Sequence, residues 1–158
     1  MATVARLHVN FSTLEEFKRF RETGLEELSM LEELNENMIK NRVDSPFYGI
    51  YEDSKLVARM SLYFISAKYE RYFSPASDHY ELWKLEVLTG YKGRGYGTAL
   101  VEFAKSLNQP IKVNVRRQSH PFFIRLGFQP VKYNASRDRG ENPYIWIPPG
   151  NTVKQIDE

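Results

Sequence analysis

A glycine-rich turn between a strand pattern and a helix pattern limits the folds open to this chain. Residues 85–87 alternate apolar and charged side chains, which is typical of a strand. Gly93, Gly95 and Gly97 then follow at intervals of two, and residues 99–107 place apolar side chains on one helical face. The pattern therefore predicts a strand that passes through a tight turn directly into a helix.

A helix that begins at such a turn offers a site for phosphate. Its first backbone N–H groups have no partner within the helix, and the helix dipole places partial positive charge there. Lys92 and Arg94 add two cations beside the turn. The turn alone leaves the ligand open, since glycines also occur in turns that bind nothing. A nucleotide would be permitted, although neither G-x-G-x-x-G nor the P-loop pattern is present.

Two segments together resemble the GNAT acetyltransferase family. The run from Lys92 to Gly97 is similar to the family's Arg/Gln-x-x-Gly-x-Gly/Ala signature, with Leu-x-Val ahead of it and Ala-Leu after it. Further along, the run from Phe122 to Phe128 is similar to the family's Phe-Tyr-x-x-x-Gly-Phe segment. The order of elements matches over residues 4–147. In one departure, Lys92 replaces the usual Arg or Gln, which keeps a charge but loses the planar guanidinium.

The resemblance implies acetyl-CoA as the acetyl donor and assigns residues to hold it. The turn would bind the pyrophosphate through backbone N–H groups, the strand before it would pair with the pantetheine arm, and a short helix would flank the arm. The N–H of Val87 would also polarise the thioester carbonyl. The residues expected to contact the cofactor are Leu85, Val87, Lys92, Gly93, Arg94, Gly95, Tyr96, Gly97, Thr98, Ser119, Phe122 and Phe123.

Acetyl transfer to an amine requires the amine to be neutral, and a carboxylate can take its proton directly or through water. Glu81 is the first candidate, because histone-acetylating members of the family place their base four residues before the position of Leu85. Glu86 is the second candidate and lies on the opposite face of the strand, since side chains alternate. Each glutamate can instead be a solvated or ion-paired carboxylate. His79 and His120 are weaker candidates.

The proton donor for the leaving thiolate is missing from its usual place. Many members of the family have tyrosine where this chain has Phe123, and phenylalanine cannot donate a proton. A thiol pKa of about 8.5 makes the thiolate a fair leaving group without an acid. Alternatively, Tyr91, Tyr96 or Tyr133 supplies the proton, or catalysis has been lost. The last possibility motivates an alternative function, a non-catalytic acyl-CoA-binding or regulatory module.

The acceptor amine is not readable from the sequence. Strand carboxylates favour a cationic amine, which fits a small molecule, a peptide N-terminus or a protein lysine alike. A homodimer is possible, because members of the family often dimerise. The resemblance therefore predicts an acetyl-CoA-dependent N-acetyltransferase whose acceptor and oligomeric state stay open.

Composition excludes several other classes of protein. The net charge of +2 shows no nucleic-acid footprint. The absence of cysteine excludes a disulfide framework, a thiolate nucleophile and a cysteine-based metal site, and we expect no metal. No window reaches eighteen apolar residues, and residues 1–10 lack a signal-peptide pattern, so we expect a cytoplasmic protein without membrane contact.

The chain predicts one mixed α/β sheet with helices on both faces, in the order β-α-α-β-β-β-α-β-α-β-β. Its 158 residues, 42% of them apolar, suit a single domain over the whole length. A capping box at Ser12 and Thr13 is expected to start the first helix. Gly24 would break it, and a second helix would run from Leu25 to about Asn41.

Three polar or irregular segments lie between or beyond these predicted helices and strands. Residues 69–78 are aromatic and irregular, which suits either a partly buried surface loop or a flap over a substrate groove. Residues 134–142 are polar and charged, and we expect them to be mobile. The tail, residues 148–158, is expected to be frayed and flexible.

Overall fold

The computed structural model describes residues 2–20, 28–40, 44–69 and 71–156. The expected helix break at Gly24, the helix start at Leu25 and the helix end at Asn41 lie outside these residues. The helices are α1 (Phe11–Phe20), α2 (Leu28–Ile39), α3 (Tyr96–Ser106), α4 (His120–Arg125) and α5 (Ala135–Asp138). The strands are β1 (Ala5–Arg6), β2 (Phe47–Glu52), β3 (Lys55–Ile65), β4 (Phe73–Ser74), β5 (His79–Val87), β6 (Ile111–Asn114), β7 (Gln129–Pro130), β8 (Pro143–Trp146) and β9 (Lys154–Gln155).

This mixed α/β fold confirms the predicted class, and the predicted elements occur in the predicted order, with β4, α5 and β9 as short additions. The chain divides into two compact units. The first unit comprises Met1–Leu62 and Lys84–Phe103, and the second comprises Tyr63–Trp83 and Ala104–Glu158. Strands β3 and β5 each contribute residues to both units.

The first unit contains an antiparallel arrangement of β1, β2 and β3. Gly49 pairs with Ala5 on one side and with Arg59 on the other. The α1 residues Phe17 and Phe20 are fully buried, which is the expected result of their helical spacing. The predicted capping box is wrong, because the Asn10 side chain already accepts the Thr13 N–H at 2.9 Å and α1 begins at Phe11.

The second unit places β5 parallel to β6, with β8 and then β7 antiparallel beyond β6. Glu81 pairs with Lys112 and Leu82 with Val113, and Tyr144 pairs with Val113 from the other side. Paired residues on adjacent strands share a face of the sheet. Tyr144 and Val113 therefore lie on the opposite face from Glu81 and Lys112.

The C-terminal segment forms a strand, where the sequence pattern predicted a frayed tail. β9 pairs antiparallel with β4, and the Ile156 N–H donates to the Tyr72 carbonyl at 2.7 Å. Tyr72 and Phe73 are buried in a cluster against which Val153 packs. Residues 72–74 are therefore anchored within the segment expected as a loop or flap. A strand of two residues is too short to show alternation in sequence.

Residues 134–142 contain α5 and a buried carboxylate, where we expected a mobile loop. The Asn134 side chain caps α5 by accepting the Arg137 N–H. Asp138 is 1% exposed and accepts hydrogen bonds from the Tyr72 hydroxyl at 3.2 Å and the Asn134 N–H at 2.9 Å. The hydrogen bond from Arg137 lowers the pKa of Asp138. The polar side chains thus bond to one another, which composition alone did not reveal.

Two features are absent from the residues that the structure describes. No helix among them is both long and apolar enough to cross a membrane. In the same part of the chain, no three histidine, aspartate or glutamate side chains are grouped in a way that could hold a metal ion.

Candidate active site

The glycine turn follows β5 in the first unit and has an open backbone. Gly93 and Gly95 adopt φ angles of +81° and +85°, which L side chains rarely adopt. A Cβ added at either position would meet no atom within 4 Å. Glycine is therefore required here by backbone conformation rather than by crowding, and the surrounding space is open to a ligand.

The start of α3 presents the N–H groups predicted for phosphate binding. The Ala99 N–H donates to the Gly95 carbonyl at 2.9 Å, which is the first bond of the helical ladder. The N–H groups of residues 96–98 precede this bond and have no acceptor in a preceding helical turn. Leu100 and Val101 are fully buried and fix the helix in the first unit. The structure therefore holds Tyr96, Gly97 and Thr98 as an oriented set of donors.

Arg94 and Tyr96 are directed toward β2. The Arg94 guanidinium lies 2.8 Å from a carboxylate oxygen of Glu52, and the Tyr96 hydroxyl donates to the other oxygen. The hydrogen bond from Tyr96 and the charge of Arg94 lower the pKa of Glu52, and the same hydrogen bond raises the pKa of Tyr96. Lys92 is exposed. Of the two expected cations, Arg94 is thus partly neutralised, and Glu52 is a tether that sequence reasoning missed.

The end of β5 leads into the turn through hydrogen-bonded backbone. The Leu88 N–H donates to the Val57 carbonyl of β3 at 2.9 Å, and Leu88 is buried. Leu85 and Val87 are half-buried just ahead of it. The first unit therefore brings together the predicted strand positions, the turn and the helix start.

Glu86 is ion-paired with a buried arginine. Its Oε1 atom accepts hydrogen bonds from Arg59 Nε at 3.2 Å and Nη2 at 3.0 Å. Arg59 is 0% exposed, and its guanidinium lies over the rings of Phe20 at 4.1 Å and Phe17 at 4.8 Å. The alternative considered for Glu86, a paired strand carboxylate, is what the structure shows. In the sequence, Arg59 looks like an ordinary polar residue of a strand, so its burial could not be predicted from the sequence.

Glu81 lies in the second unit beside a buried lysine. Lys112 is 3% exposed, and its Nζ lies 3.4 Å from Glu81 Oε2 and 3.2 Å from Glu141 Oε1. Burial acts to lower the pKa of Lys112, but the charges of Glu81, Tyr72 and Glu141 outweigh it, so the pKa lies above its usual value. The Glu81 side chain is 25% exposed. It therefore combines a cationic neighbour with access to water.

The two histidines have contrasting surroundings in the second unit. His79 is buried edge-on to Phe73 at 5.3 Å, and burial lowers its pKa to about 4. It is therefore neutral at pH 7 and a weak base. His120 is exposed, and its Nδ1 is hydrogen-bonded to the hydroxyl of the buried Tyr144. Sequence reasoning did not consider Tyr144, because a tyrosine in a closing strand is typical of packing.

The residues expected to flank the pantetheine arm surround the start of α4. Ser119 ends a short 3-10 turn at Arg117–Ser119 and is half-buried, as is Phe122. Phe123 is 5% exposed and packs edge-on against Phe122 and Phe128, with ring centroids 5.0 and 5.3 Å apart. Phe123 is therefore a core residue, and its side chain has no proton to donate.

Two further tyrosines considered as proton donors make other contacts. The Tyr91 ring lies under Arg94 and Lys55, with cation-to-centroid distances of 4.8 and 5.8 Å. The Tyr133 hydroxyl accepts the Gly140 N–H at 3.0 Å, and the side chain is exposed. With Tyr96 bonded to Glu52, each of the three predicted tyrosines has an interaction of its own.

Comparison with known proteins agrees with the acetyltransferase resemblance of the sequence. The profile of the Acetyltransferase (GNAT) family matches residues 11–128. An uncharacterized N-acetyltransferase of Brevibacillus brevis is 61% identical over 148 residues, which cover 94% of this chain and 96% of that protein. The crystal structure of the Bacillus subtilis N-acetyltransferase YlbP in complex with coenzyme A superposes with a TM-score of 0.77 at 57% identity, over 94% of this chain and 97% of that one. The PaiA N-acetyltransferase of Thermoplasma acidophilum, in complex with coenzyme A, shares the fold at 17% identity with a TM-score of 0.60, over 92% and 98% of the two chains.

Proposed function

Because this chain belongs to the GNAT acetyltransferase family, we propose that it binds acetyl-CoA and transfers the acetyl group to an amine. The observation that carries the proposal is the open turn at Gly93 and Gly95, which leads into the donors at the start of α3. Coenzyme A in the crystals of the YlbP relative supports the choice of ligand.

The backbone of the turn would hold the pyrophosphate. The N–H groups of residues 96–98 would replace the water that the phosphate oxygens lose on binding. The helix dipole also favours the anion at this position. Lys92 is exposed beside the turn and adds a cation. Arg94 contributes less charge because Glu52 lies 2.8 Å away. Leu85 and Val87 would lie along the pantetheine arm from one side, and Ser119, Phe122 and Phe123 lie around the start of the helix proposed to flank it.

The reaction would proceed by direct attack of the amine on the thioester. Glu81 takes the proton of the ammonium group, directly or through water, and the neutral nitrogen attacks the carbonyl carbon. The Val87 N–H stabilises the negative charge on the carbonyl oxygen. As the tetrahedral intermediate collapses, the attacking nitrogen loses its second proton to solvent, the C–S bond breaks and the thiolate is released. Glu86 serves as the partner of Arg59 and is our second candidate for the base.

Thermal unfolding with and without acetyl-CoA, CoA and ATP tests the cofactor site. A ligand at a hundredfold its Kd stabilises the folded protein by about 2.7 kcal/mol, which raises the Tm measurably. Gly95→Trp is expected to remove the rise with acetyl-CoA. Gly150→Trp is the matched control, because Gly150 also has a positive φ of +83° and open surroundings. Equal rises in both variants would contradict the proposed site, and a comparable rise with ATP would favour a nucleotide ligand.

Release of CoA in the presence of an amine panel tests the reaction. Suitable acceptors are putrescine, tyramine, a peptide with a free N-terminus, and an N-terminally blocked peptide with one lysine. Transfer above the buffer rate to any of them supports the enzyme. Binding of acetyl-CoA without transfer to any of them would favour the alternative, a non-catalytic acyl-CoA-binding module.

A further inference from the structure

The proposed reaction would be faster with a proton donor for the leaving thiolate, and neither Phe123 nor the three tyrosines considered for this role is suited to the task. Phe123 packs in the core between two other rings. Tyr96 donates to Glu52, and the Tyr133 hydroxyl is bonded to the Gly140 N–H. Tyr91 contributes its ring face to two cations. The donor must therefore be sought elsewhere.

Tyr144 combines a buried ring with a hydroxyl at the start of α4. The residue is 4% exposed and pairs with Val113 in the sheet, so packing fixes its ring. The hydroxyl is hydrogen-bonded to Nδ1 of His120, the first residue of α4. The two rings meet edge-on with centroids 5.6 Å apart. A fixed hydroxyl bonded to a titratable ring is the arrangement that proton transfer requires.

His120 connects this hydroxyl to solvent. The side chain is exposed, so its ring can exchange protons with water. Histidine is also the side chain whose unperturbed titration falls nearest neutral pH. His120 directly follows Ser119 and comes one turn ahead of Phe123, within the segment that the proposed function places beside the pantetheine arm. The inference rests on that function for the position of the sulfur.

We propose that Tyr144 protonates the CoA thiolate and that His120 returns the proton to Tyr144. When the C–S bond breaks, its electron pair stays on sulfur, and the sulfur takes the proton of the Tyr144 hydroxyl. The imidazolium of His120 gives its Nδ1 proton to the phenolate oxygen and becomes neutral. Solvent then protonates the ring again, which offsets one of the two protons that the amine nitrogen has lost. The pair thereby fills the role left vacant by Phe123.

Single-turnover acetyl transfer from acetyl-CoA measures this step apart from product release. The acceptor is the best amine of the panel above, and the variants are Tyr144→Phe and His120→Gln. Tyr51→Phe is the matched control, because it removes the hydroxyl of an exposed tyrosine that is likewise hydrogen-bonded to a titratable side chain, Glu16. Melting curves and the Kd for acetyl-CoA are measured for every variant. Tyr144→Phe keeps the ring, so packing and cofactor affinity are expected to match the wild type.

Tyr144→Phe is expected to lower the single-turnover rate about 10²-fold, at the lower end of the range for general acids because thiolate is a fair leaving group. His120→Gln is expected to lower it about tenfold. Added imidazole is expected to restore part of the lost rate in His120→Gln and none of it in Tyr144→Phe, because only the hydroxyl would reach the sulfur. Tyr51→Phe should match the wild type in rate.

The outcomes separate this inference from the proposed function. A wild type that binds acetyl-CoA but acetylates no amine overturns both. An active wild type whose single-turnover rate is unchanged by Tyr144→Phe overturns the role of the pair and leaves the proposed function standing. If Tyr144→Phe does not fold, His120→Gln decides, because that side chain is exposed. A single-turnover rate of His120→Gln equal to that of the wild type then refutes the relay.

Discussion

Replacing Glu86 with glutamine is expected to destabilise the first unit by acting on a fully buried cation. The carboxylate receives two hydrogen bonds from Arg59, whose guanidinium is enclosed by the rings of Phe17 and Phe20. The substitution keeps the shape of the side chain and removes its charge. Arg59 then loses the charge of this partner in surroundings that are largely shielded from water.

The magnitude follows from the burial of the pair. Removing one partner of a buried ion pair costs about 3–5 kcal/mol, and a hydrogen bond to a charged group contributes about 1.5–3 kcal/mol. The Glu86 side chain is 17% exposed, so water offsets part of the loss, and the amide oxygen still accepts a hydrogen bond. We expect a loss of about 2 kcal/mol, or a fall in Tm of about 4–8 °C for a chain of this size.

Thermal melting followed by far-ultraviolet circular dichroism measures the change. Glu15→Gln is the matched control, because Glu15 forms an exposed pair with Lys18 at 3.4 Å. That pair is 52% and 62% exposed at its two side chains, and exposed pairs contribute little, so no measurable change in Tm is expected. If Glu86→Gln melts within 1 °C of the control, roughly the resolution of such a measurement, then the pair does not stabilise the fold as reasoned here.

Three further predictions concern titrating groups. Glu81→Gln should lower the rate of acetyl transfer and flatten its alkaline rise, and an unchanged pH–rate profile would remove Glu81 from the role of base. Burial lowers the pKa of His79 from 6.5 to about 4, so the unfolded chain binds more protons between these values, and the free energy of unfolding decreases by roughly 3 kcal/mol at most as the pH is lowered from 6.5 to 4. Urea unfolding of His79→Gln should show a shallower fall than the wild type, and parallel curves would count against the assignment. The pKa of Asp138 is lowered chiefly by the Arg137 hydrogen bond, so its contribution is present above pH 3.8 and lost below it. At pH 7, Asp138→Asn should therefore lower the free energy of unfolding by about 2 kcal/mol, and urea unfolding that matches the wild type would oppose this.

Patterns that act between near neighbours in the chain were sufficient for the glycine turn. The alternation at residues 85–87, the glycines and the apolar face of α3 predicted a strand, a turn and a helix, and the structure contains all three. The positive φ angles of Gly93 and Gly95 explain why this pattern is informative. Few other residues tolerate that backbone, so the requirement is visible in the sequence itself.

Contacts between distant residues were out of reach of such patterns. Glu52 meets Arg94 across 42 positions, and Tyr144 meets His120 across 24. Each residue taken alone is typical of a surface turn or of an ordinary strand. Sequence spacing does not say which two strands or loops will face each other, so a pair of this kind appears only once the fold is known. The assignment of Glu81 and Glu86 as bases stays a prediction for the same reason.

The division into two units gives the protein an internal fluorescent reporter for one of them. Both tryptophans of the chain, Trp83 and Trp146, belong to the second unit. Trp83 is 51% exposed beside Tyr63, and Trp146 lies near the Lys105 ammonium. Excitation at the red edge of the absorption band therefore reports the second unit, while helical circular dichroism reports mainly the first, which holds α1, α2 and most of α3. Coincident transitions in urea would mean that the chain unfolds cooperatively as the single domain its length suggests, and separate transitions would mean that each unit has a stability of its own.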